Sequence, residues 1–378
     1  MTEEYKPIPG SAIFSALKDK GCIVMASNVR MVPGVLRGLF RAAKDSDSAA
    51  IFELARSECN LKGGYTGMTP ADYAKANMEV AKDVGFDIWA LHADHIGIKK
   101  GTSEEIASTK ELVGNQIESG FTSFAIDASH LFDFKGKDLK EELRHNIDAS
   151  TQIGLFIKEK MGDRPFGLEV EVGEIGKEDE HGRVLTRPEE AQVFISELNR
   201  NGVSPQVLAI ANGTAHGNVY DANGNLIEDI SIDIPQTRAV AQALRDMGSG
   251  VRIAQHGITG TPREKIASMF PKGDILKGNV ATFWQNLVFD TLEVYEPALH
   301  KEIWDWVTSN YAKPGKRQIE VFGKNAKHAT GHFKKEIDAI SEETEKAIEA
   351  KAYAEALYFF KAFNAYGSAS LVREYLKK

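Results

Sequence analysis

Short apolar segments alternate with helical segments along most of the chain. Eight of these apolar segments are rich in β-branched residues and have the length of buried strands. They are Cys22–Asn28, Ala49–Ala55, Phe86–Asp94, Phe121–Ser129, Phe166–Gly173, Val207–Gly213, Val251–Gly257 and Asp274–Thr282. Between them, apolar positions three and four residues apart predict amphipathic helices. These helices are Pro33–Ala43, Pro70–Val84, Ser103–Glu118, Leu139–Met161, Pro188–Asn199, Ile234–Met247 and Pro262–Met269.

This alternation predicts the fold class α/β and, within it, a TIM (β/α)8 barrel. A doubly wound sheet is the competing fold, but such sheets often carry a glycine-rich fingerprint after the first strand, and CIVMASNVRMVPG has none. We predict a barrel over residues 1–295 and a C-terminal helical extension over residues 296–378. The segment Lys335–Phe363 has the pattern of long amphipathic helices. We expect the extension to pack on the barrel or on a neighbouring subunit, with a lid or arm that reaches a neighbouring active site as the alternative.

Composition narrows the class of protein. The 378 residues include 42% hydrophobic residues, which is enough for a large core, and no apolar run approaches the roughly 20 residues that span a bilayer. The first residues do not resemble a secretory signal, so we expect a cytoplasmic protein. Cys22 and Cys59 lack ligand spacing, which argues against a disulfide framework or a cysteine-held zinc. The net charge of -8, with both signs interspersed, argues against nucleic acid or anionic membrane as the main partner.

Three histidines lie at or beside the predicted ends of strands three, six and seven. They are His95, His216 and His256. In a barrel all strands end at one mouth, so histidines distant in sequence become neighbours in space. A single strand-end histidine is more often structural, but three imidazoles and an open position form a catalytic zinc arrangement. The sequence therefore predicts a metal site at the mouth.

Carboxylates follow the same geometry. Asp94 lies beside a strand-end histidine, Asp127 ends the fourth strand, and Glu169 and Glu171 share one side of the fifth strand. Carboxylates in a barrel mouth are costly unless they are paired or bound to metal. An ion pair or a contact to a metal ligand is the alternative role for each of them. We expect His92 to orient the metal ligands.

Small residues flank the histidines. The segments GTAHG, at residues 213–217, and HGITG, at residues 256–260, place flexible backbone and a hydroxyl beside an imidazole. Backbone N–H groups in such loops can cradle a phosphate. Barrels commonly bind phosphate after strands seven and eight, where this chain has GITGTP and GNVAT, the latter at residues 278–282. We therefore predict a phosphorylated substrate.

Together these motifs resemble the class II, zinc-dependent fructose-bisphosphate and tagatose-bisphosphate aldolases. The matching segments are LHADH, AIDASH, LEVEVGEIG, GTAHG, QHGITG and GNVAT. The resemblance implies a carbon-carbon lyase that reversibly cleaves a ketose bisphosphate, fructose 1,6-bisphosphate first, into dihydroxyacetone phosphate and glyceraldehyde 3-phosphate. It implies that Zn²⁺ stabilises the enediolate left after cleavage. Another divalent metal is the alternative, and the resemblance also allows a monovalent cation.

The resemblance also implies residue roles. The implied metal ligands are His95, His216, His256, Asp127 and Glu171. The implied proton carriers are Asp94 and one acid of the loop at residues 177–182, Glu178 or Asp179. The implied phosphate-binding residues are Gly217, Gly257, Thr259, Asn279 and Thr282.

Departures from the family pattern bear on the substrate. Ile258, Thr259, Phe283 and Ala55 stand where the family commonly has glycine, serine, an acidic residue and serine. A sugar other than fructose bisphosphate is therefore open. A lysine Schiff-base aldolase is the mechanistic alternative, but no predicted strand end offers a clearly buried lysine, and Lys277 is the nearest candidate.

Other functions remain open. GGYTGMTP, at residues 63–70, is similar to the companion-type subunit of tagatose-bisphosphate aldolase, so a non-catalytic partner subunit is one alternative. A tagatose-bisphosphate aldolase and a metal-dependent ketose epimerase are the others. We expect a homo-oligomer, either dimer or tetramer, that acts on a small sugar phosphate.

Overall fold

The computed structural model describes residues 5–173, 178–179, 182–213 and 232–378, with backbone alone for 178–179 and 182–183. Eight parallel strands in these ranges close into a barrel, so the predicted TIM fold is confirmed, and the open doubly wound sheet is excluded. The strands are β1 (Val24–Asn28), β2 (Ala50–Ala55), β3 (Trp89–Gly97), β4 (Ser123–Asp127), β5 (Gly167–Val172), β6 (Val207–Ile210), β7 (Arg252–Gln255) and β8 (Ile275–Val280). A short antiparallel hairpin pairs Glu178–Asp179 with Gly182–Arg183.

Helices surround the barrel and continue past it. The first eight are α1 (Gly10–Leu17), α2 (Val35–Asp45), α3 (Pro70–Val84), α4 (Ser103–Glu118), α5 (Leu139–Met161), α6 (Pro188–Arg200), α7 (Ile234–Asp246) and α8 (Arg263–Met269). The rest are α9 (Thr282–Tyr295), α10 (Pro297–Asn310), α11 (Gln318–Asn325), α12 (Ala329–His332), α13 (Lys334–Asp338), α14 (Glu342–Ala362) and α15 (Ser368–Leu376). In the described ranges no helix is both long and apolar enough to cross a bilayer.

Closure comes from the pairing of β1 with both β2 and β8. Residues on both faces of β1, β2 and β4 are buried, which is the burial that a parallel sheet covered by helices requires. Local signals fix the helix ends. For example, α3 begins with a capping box between Thr69 and Asp72, has Pro70 in its first turn, and ends at Gly85 in the left-handed conformation.

Two of the differences from the sequence prediction concern the helices around the barrel. Strand β8 ends at Val280 rather than Thr282, and Thr282 instead opens α9, because the apolar residues that follow it have helical spacing. The unpredicted helix α1 contacts β3 and β5. A Cβ atom at Gly10 would lie 2.6 Å from the Cβ of Ser123, so only glycine permits this approach.

The C-terminal segment packs on the barrel of the same chain. Helix α14 lies against α2, α9 and α8, and α15 lies against α1. The approach of α14 to α2 is close, because a Cβ atom at Gly38 would lie 2.6 Å from the carbonyl oxygen of Glu349. Phe359 and Phe360 of α14 are fully buried in the same core as the strands. The division at residue 295 stays a prediction.

Candidate active site

A cavity of about 680 Å³ opens at the C-terminal ends of the strands. It lies where a barrel collects the side chains of its strand ends. Five of the predicted site residues from the third, fourth, fifth and seventh strands line it, and we call them the metal side of the mouth. They are Asp94, His95, Asp127, Glu171 and His256.

An irregularity in β3 turns two adjacent residues toward this cavity. Successive side chains of a regular strand point to opposite faces, so Asp94 and His95 could not both face the mouth. The pairing of β3 with β4 shifts register between Ala93 and Ile96, and His95 has a φ of +37°. A positive φ is uncommon for a residue with a side chain and costs backbone energy. Here it brings the carboxylate and the imidazole to the same cavity.

The two histidines of the metal side, His95 and His256, lie with their ring nitrogens close together. His95 Nε2 lies 3.0 Å from His256 Nδ1. The other nitrogen of His95, Nδ1, lies 3.2 Å from Asp127 Oδ2 and 3.1 Å from Glu171 Oε2. Because a carboxylate accepts the proton on Nδ1, this contact favours the tautomer whose Nε2 carries the lone pair that a metal would bind.

His256 shows the same arrangement. Its Nε2 lies 3.3 Å from Glu169 Oε1, so its Nδ1 faces the position between the two rings. The ligand atoms of Asp94, His95 and His256 lie within 4.8 Å of one another, as do those of His95, Asp127 and Glu171. Two imidazoles, each held by a carboxylate from behind, form a donor set that could hold a divalent metal.

Beneath the metal side, Lys277, the candidate that the sequence offered near a strand end, is completely buried in the middle of β8. Its Nζ lies 2.8 Å from Glu169 Oε2 and 2.9 Å from Glu53 Oε2, and it donates to His92 Nε2 at 3.3 Å. Burial alone would lower the pKa of Lys277, but Glu169 and Glu53 raise it, so the ammonium stays charged.

His92 stays neutral in this network. Burial and the neighbouring Lys277 lower the pKa of its imidazole to about 3. Its Nδ1 donates to Ser123 Oγ at 2.7 Å, which leaves Nε2 to accept from the ammonium. His92 therefore touches the base of the site and not the cavity.

Two amides hold the carboxylate of Asp94. Asn28 Nδ2 donates to Oδ2 at 3.0 Å, and Asn279 Nδ2 donates to Oδ1 at 3.3 Å. Burial would raise the pKa of Asp94, but the charges of His95 and Lys277 lower it, so the carboxylate is ionised. An ionised, oriented carboxylate beside a metal-ligand set is suited to accept a proton.

Charges of neighbouring side chains also shift the pKa values of the other titratable groups on the metal side. Burial lowers the pKa of His95, but Asp94 and Glu171 raise it well above the usual value. Burial would raise the pKa of Asp127, but the hydrogen bond and charge of His95, together with the hydrogen bonds from Ser129, lower it below its usual value. Burial and the nearby Asp127 raise the pKa of Glu171. This accumulation of carboxylates around imidazoles is typical of a cation site.

The described residues predicted to bind phosphate lie along one rim of the cavity. Gly257, Thr259, Asn279 and Thr282 all line it. Gly257 has a φ of +69°, so it needs glycine's freedom. Thr259 Oγ1 accepts a hydrogen bond from the backbone N–H of Phe283 at 3.2 Å, which joins the loop after β7 to the start of α9. Among them only hydroxyl, amide and backbone groups face the cavity.

Four predicted site residues cannot be placed. His216 and Gly217 lie outside the described residues, and so do the side chains of Glu178 and Asp179.

Sequence reasoning missed a second group of residues at the cavity, which we call the extension side of the mouth. It consists of Arg30, Glu58, Tyr65 and Lys327, and all four line the cavity. Lys327 belongs to a 3-10 turn, Ala326–His328, that precedes α12 in the C-terminal segment. The only signal was GGYTGMTP, which contains Tyr65. Asn28 and Glu53, which hold Asp94 and Asn279, were also missed.

Comparison with known proteins gives one consistent result. The model of the family described as fructose-bisphosphate aldolase class-II matches residues 9–352. A fructose-bisphosphate aldolase from Thermus caldophilus is 28% identical over 230 residues, which cover 61% of this chain and 62% of that relative. The GatZ subunit of D-tagatose-1,6-bisphosphate aldolase from Escherichia coli K12 is 30% identical over 103 residues, or 26% of this chain and 24% of the relative. The chain thus spans less than two thirds of the curated relatives it matches.

The fold has solved counterparts. The crystal structure of a fructose-bisphosphate aldolase from Campylobacter jejuni superposes with a TM-score of 0.60 at 18% identity, and the match covers 96% of this chain and 97% of that one. At this identity the likeness concerns the fold.

Proposed function

Because this chain belongs to the class II fructose-bisphosphate aldolase family, we propose that it is a metal-dependent aldolase that reversibly cleaves a ketose bisphosphate. Fructose 1,6-bisphosphate is the favoured substrate, with dihydroxyacetone phosphate and glyceraldehyde 3-phosphate as products. One observation carries the proposal: His95 and His256 meet at 3.0 Å, and each is held by carboxylates from behind.

Zinc is the metal that this donor set fits best. His95 and His256 offer one nitrogen each to a common position, and His216 is the third ligand that the family pattern supplies. Asp127 and Glu171 hold the ring of His95 and complete a second set of close donor atoms with it. When bound, the metal supplies Lewis-acid stabilisation of the negative charge that develops on the ketose oxygens.

The proton transfers fall to the chain's own carboxylates. Asp94, held by Asn28 and Asn279, takes the proton from the hydroxyl that becomes the aldehyde and returns it in the reverse reaction. Glu178 or Asp179 exchanges the proton at the carbon of the triose half. Because Asp94 is oriented by two amides, replacement by asparagine should leave metal binding intact while it removes the base.

We assign phosphate binding to the loops after β6, β7 and β8, of which the last two form one rim of the cavity. The residues proposed for it are Gly217, Gly257, Thr259, Asn279 and Thr282. Thr282 opens α9, and the partial positive charge at a helix N-terminus favours an anion.

Two observations keep related functions in view. The match to a subunit of tagatose-bisphosphate aldolase favours tagatose 1,6-bisphosphate as the second substrate and allows a partner-subunit role. The same metal side could also serve a ketose epimerase. The buried and ion-paired state of Lys277 disfavours a Schiff-base mechanism, because its ammonium is charged and does not line the cavity.

The test is a coupled triose phosphate assay on the purified chain, over fructose 1,6-bisphosphate, tagatose 1,6-bisphosphate and singly phosphorylated ketoses. We expect cleavage that EDTA abolishes and Zn²⁺ restores. Epimer without triose phosphate would favour the epimerase, and a zinc-bound chain inert toward every ketose phosphate would favour the partner subunit. Cleavage that survives EDTA and is trapped by borohydride would refute the metal mechanism.

A further inference from the structure

Two cations line the extension side of the mouth. The side chain of Arg30 is only 11% exposed, and Lys327 is half-buried. The guanidinium carbon of Arg30 lies 5.8 Å from the centre of the Tyr65 ring, and Lys327 Nζ lies 5.9 Å from the same centre. The residues proposed above to bind phosphate carry no charge, so these two side chains bring positive charge that the phosphate rim lacks.

The direction of Arg30 is fixed. Its Nε and Nη2 lie 2.8 and 2.7 Å from Glu58 Oε1, and the Tyr65 hydroxyl donates to the same oxygen at 2.8 Å. Its remaining nitrogen, Nη1, lies 3.0 Å from Gln285 Oε1 and 3.4 Å from Thr282 Oγ1. Arg30 therefore presents one N–H edge at Thr282, a residue of the phosphate rim.

Lys327 reaches the mouth because its segment is seated on the GGYTGMTP loop. Gly63, Gly64 and Gly67 of this loop all have positive φ, which side chains rarely adopt. A Cβ atom on Gly331 would lie 2.5 Å from the carbonyl oxygen of Tyr65. The hydroxyl of Thr330 donates to that same carbonyl at 3.1 Å. The absence of a side chain at Gly331 thus permits a close backbone approach, which the Thr330 hydroxyl also holds.

Positive charge exceeds negative charge at this place. The carboxylate of Glu58 forms an ion pair with Arg30. In the described part of the chain Lys327 has no carboxylate within ion-pair distance. Burial and the nearby Arg30 lower the pKa of Lys327, as two cations in one partly buried wall must. A bound anion would relieve both the repulsion and the cost of burial.

We propose that Arg30 and Lys327 form a phosphate subsite on the extension side of the mouth, and that the GGYTGMTP loop serves to seat the segment that carries Lys327. The ligand is a phosphomonoester group of the sugar, at either end of the chain. This inference rests on the proposed function for its substrate class. It gives the C-terminal segment a role within its own active site.

Calorimetric titration of the intact chain with fructose 1-phosphate, fructose 6-phosphate, inorganic phosphate and fructose tests the subsite. A hydrogen bond to a charged group is worth roughly 1.5–3 kcal/mol, so Lys327→Met should weaken binding of at least one phosphomonoester about tenfold or more and leave fructose unchanged. The ester affected shows which phosphate occupies the subsite. Lys324→Met, an exposed lysine of the same segment, is the control and should bind like the wild type.

Arg30 needs a compensated variant, because its removal leaves the buried Glu58 unpaired. Arg30→Met/Glu58→Gln removes both charges and should weaken the same ester as Lys327→Met, while Arg30→Lys should restore part of the affinity. Unchanged phosphate binding in Lys327→Met, or a wild type that binds no phosphomonoester, overturns the subsite. A chain that binds phosphomonoesters through Lys327 but cleaves neither a ketose bisphosphate nor a singly phosphorylated ketose would retain the subsite and refute the proposed aldolase.

Discussion

The two sides of the mouth are built in different ways. The metal side uses residues at the ends of β3, β4, β5 and β7, which the closure of the barrel brings together whatever the loops do. The extension side joins Arg30 and Tyr65 to Lys327, a residue about 260 positions further along the chain, through a glycine contact between two surface segments. The predicted metal ligands thus lie at the ends of rigid strands, whereas the two cations lie on segments outside the barrel strands.

Removal of one imidazole on the metal side should have the largest effect. In His95→Ala we expect loss of the bound metal and a fall in kcat/KM of at least about 1,000-fold, because loss of a single group that stabilises developing charge already costs roughly 10² to 10³. Metal content and the coupled assay measure both. His145→Ala, an exposed histidine of α5, is the control. A His95→Ala variant that kept its metal and its activity would contradict this assignment of the metal side.

Replacement of Lys277 tests how much the buried ion-pair network beneath the metal side contributes to the stability of the fold. Lys277→Met leaves Glu53 and Glu169 buried without their cation, which should lower the free energy of unfolding by about 3 kcal/mol or more. Urea unfolding measures the change, with the exposed Lys265→Met as the control. A loss below about 1 kcal/mol would mean that the carboxylates take up protons at little cost.

The comparison also explains what sequence could predict. His95 and His256 were predictable because a strand end fixes where a side chain goes once the barrel is assumed. That Asp94 and His95 can both face the mouth was not predictable from alternation, since it depends on the positive φ of His95. Residues of the extension side carry no periodic signal, and their contact depends on how two loops fold. Lys277 was noted as a candidate, but its ion pairs with Glu53 and Glu169 were not predictable, because a lone lysine in an apolar strand does not reveal its partners.

A substitution at Gly331 tests whether the close contact of its segment with Tyr65 positions Lys327. In Gly331→Ala the new Cβ would lie 2.5 Å from the carbonyl oxygen of Tyr65, so the segment must move and carry Lys327 away. We expect roughly tenfold weaker binding of the affected phosphomonoester, about the worth of one charged hydrogen bond, with metal content unchanged. Calorimetry measures the affinity.

The matched control for this change is Gly114→Ala in α4, where a Cβ atom would meet nothing within 4 Å. It should bind phosphomonoesters normally. If Gly331→Ala binds them as tightly as the control, the glycine contact does not position Lys327.

The smallest effect concerns the end of the extension. Arg373 of α15 pairs with Asp47 at 2.7 Å and Asp87 at 2.6 Å, but all three side chains are about one third exposed, so Arg373→Gln should cost less than about 1 kcal/mol. Burial would raise the pKa of Asp47, but hydrogen bonds from Ser370 and Arg373 together outweigh burial, so the pKa lies below its usual value. A carboxylate with a lowered pKa contributes stability above its unfolded pKa and loses it as the pH falls through the folded one. The difference in urea midpoint between wild type and Arg373→Gln should therefore be present at neutral pH and vanish in acid. A difference that persisted there would show that Arg373 holds the extension by packing and not by charge.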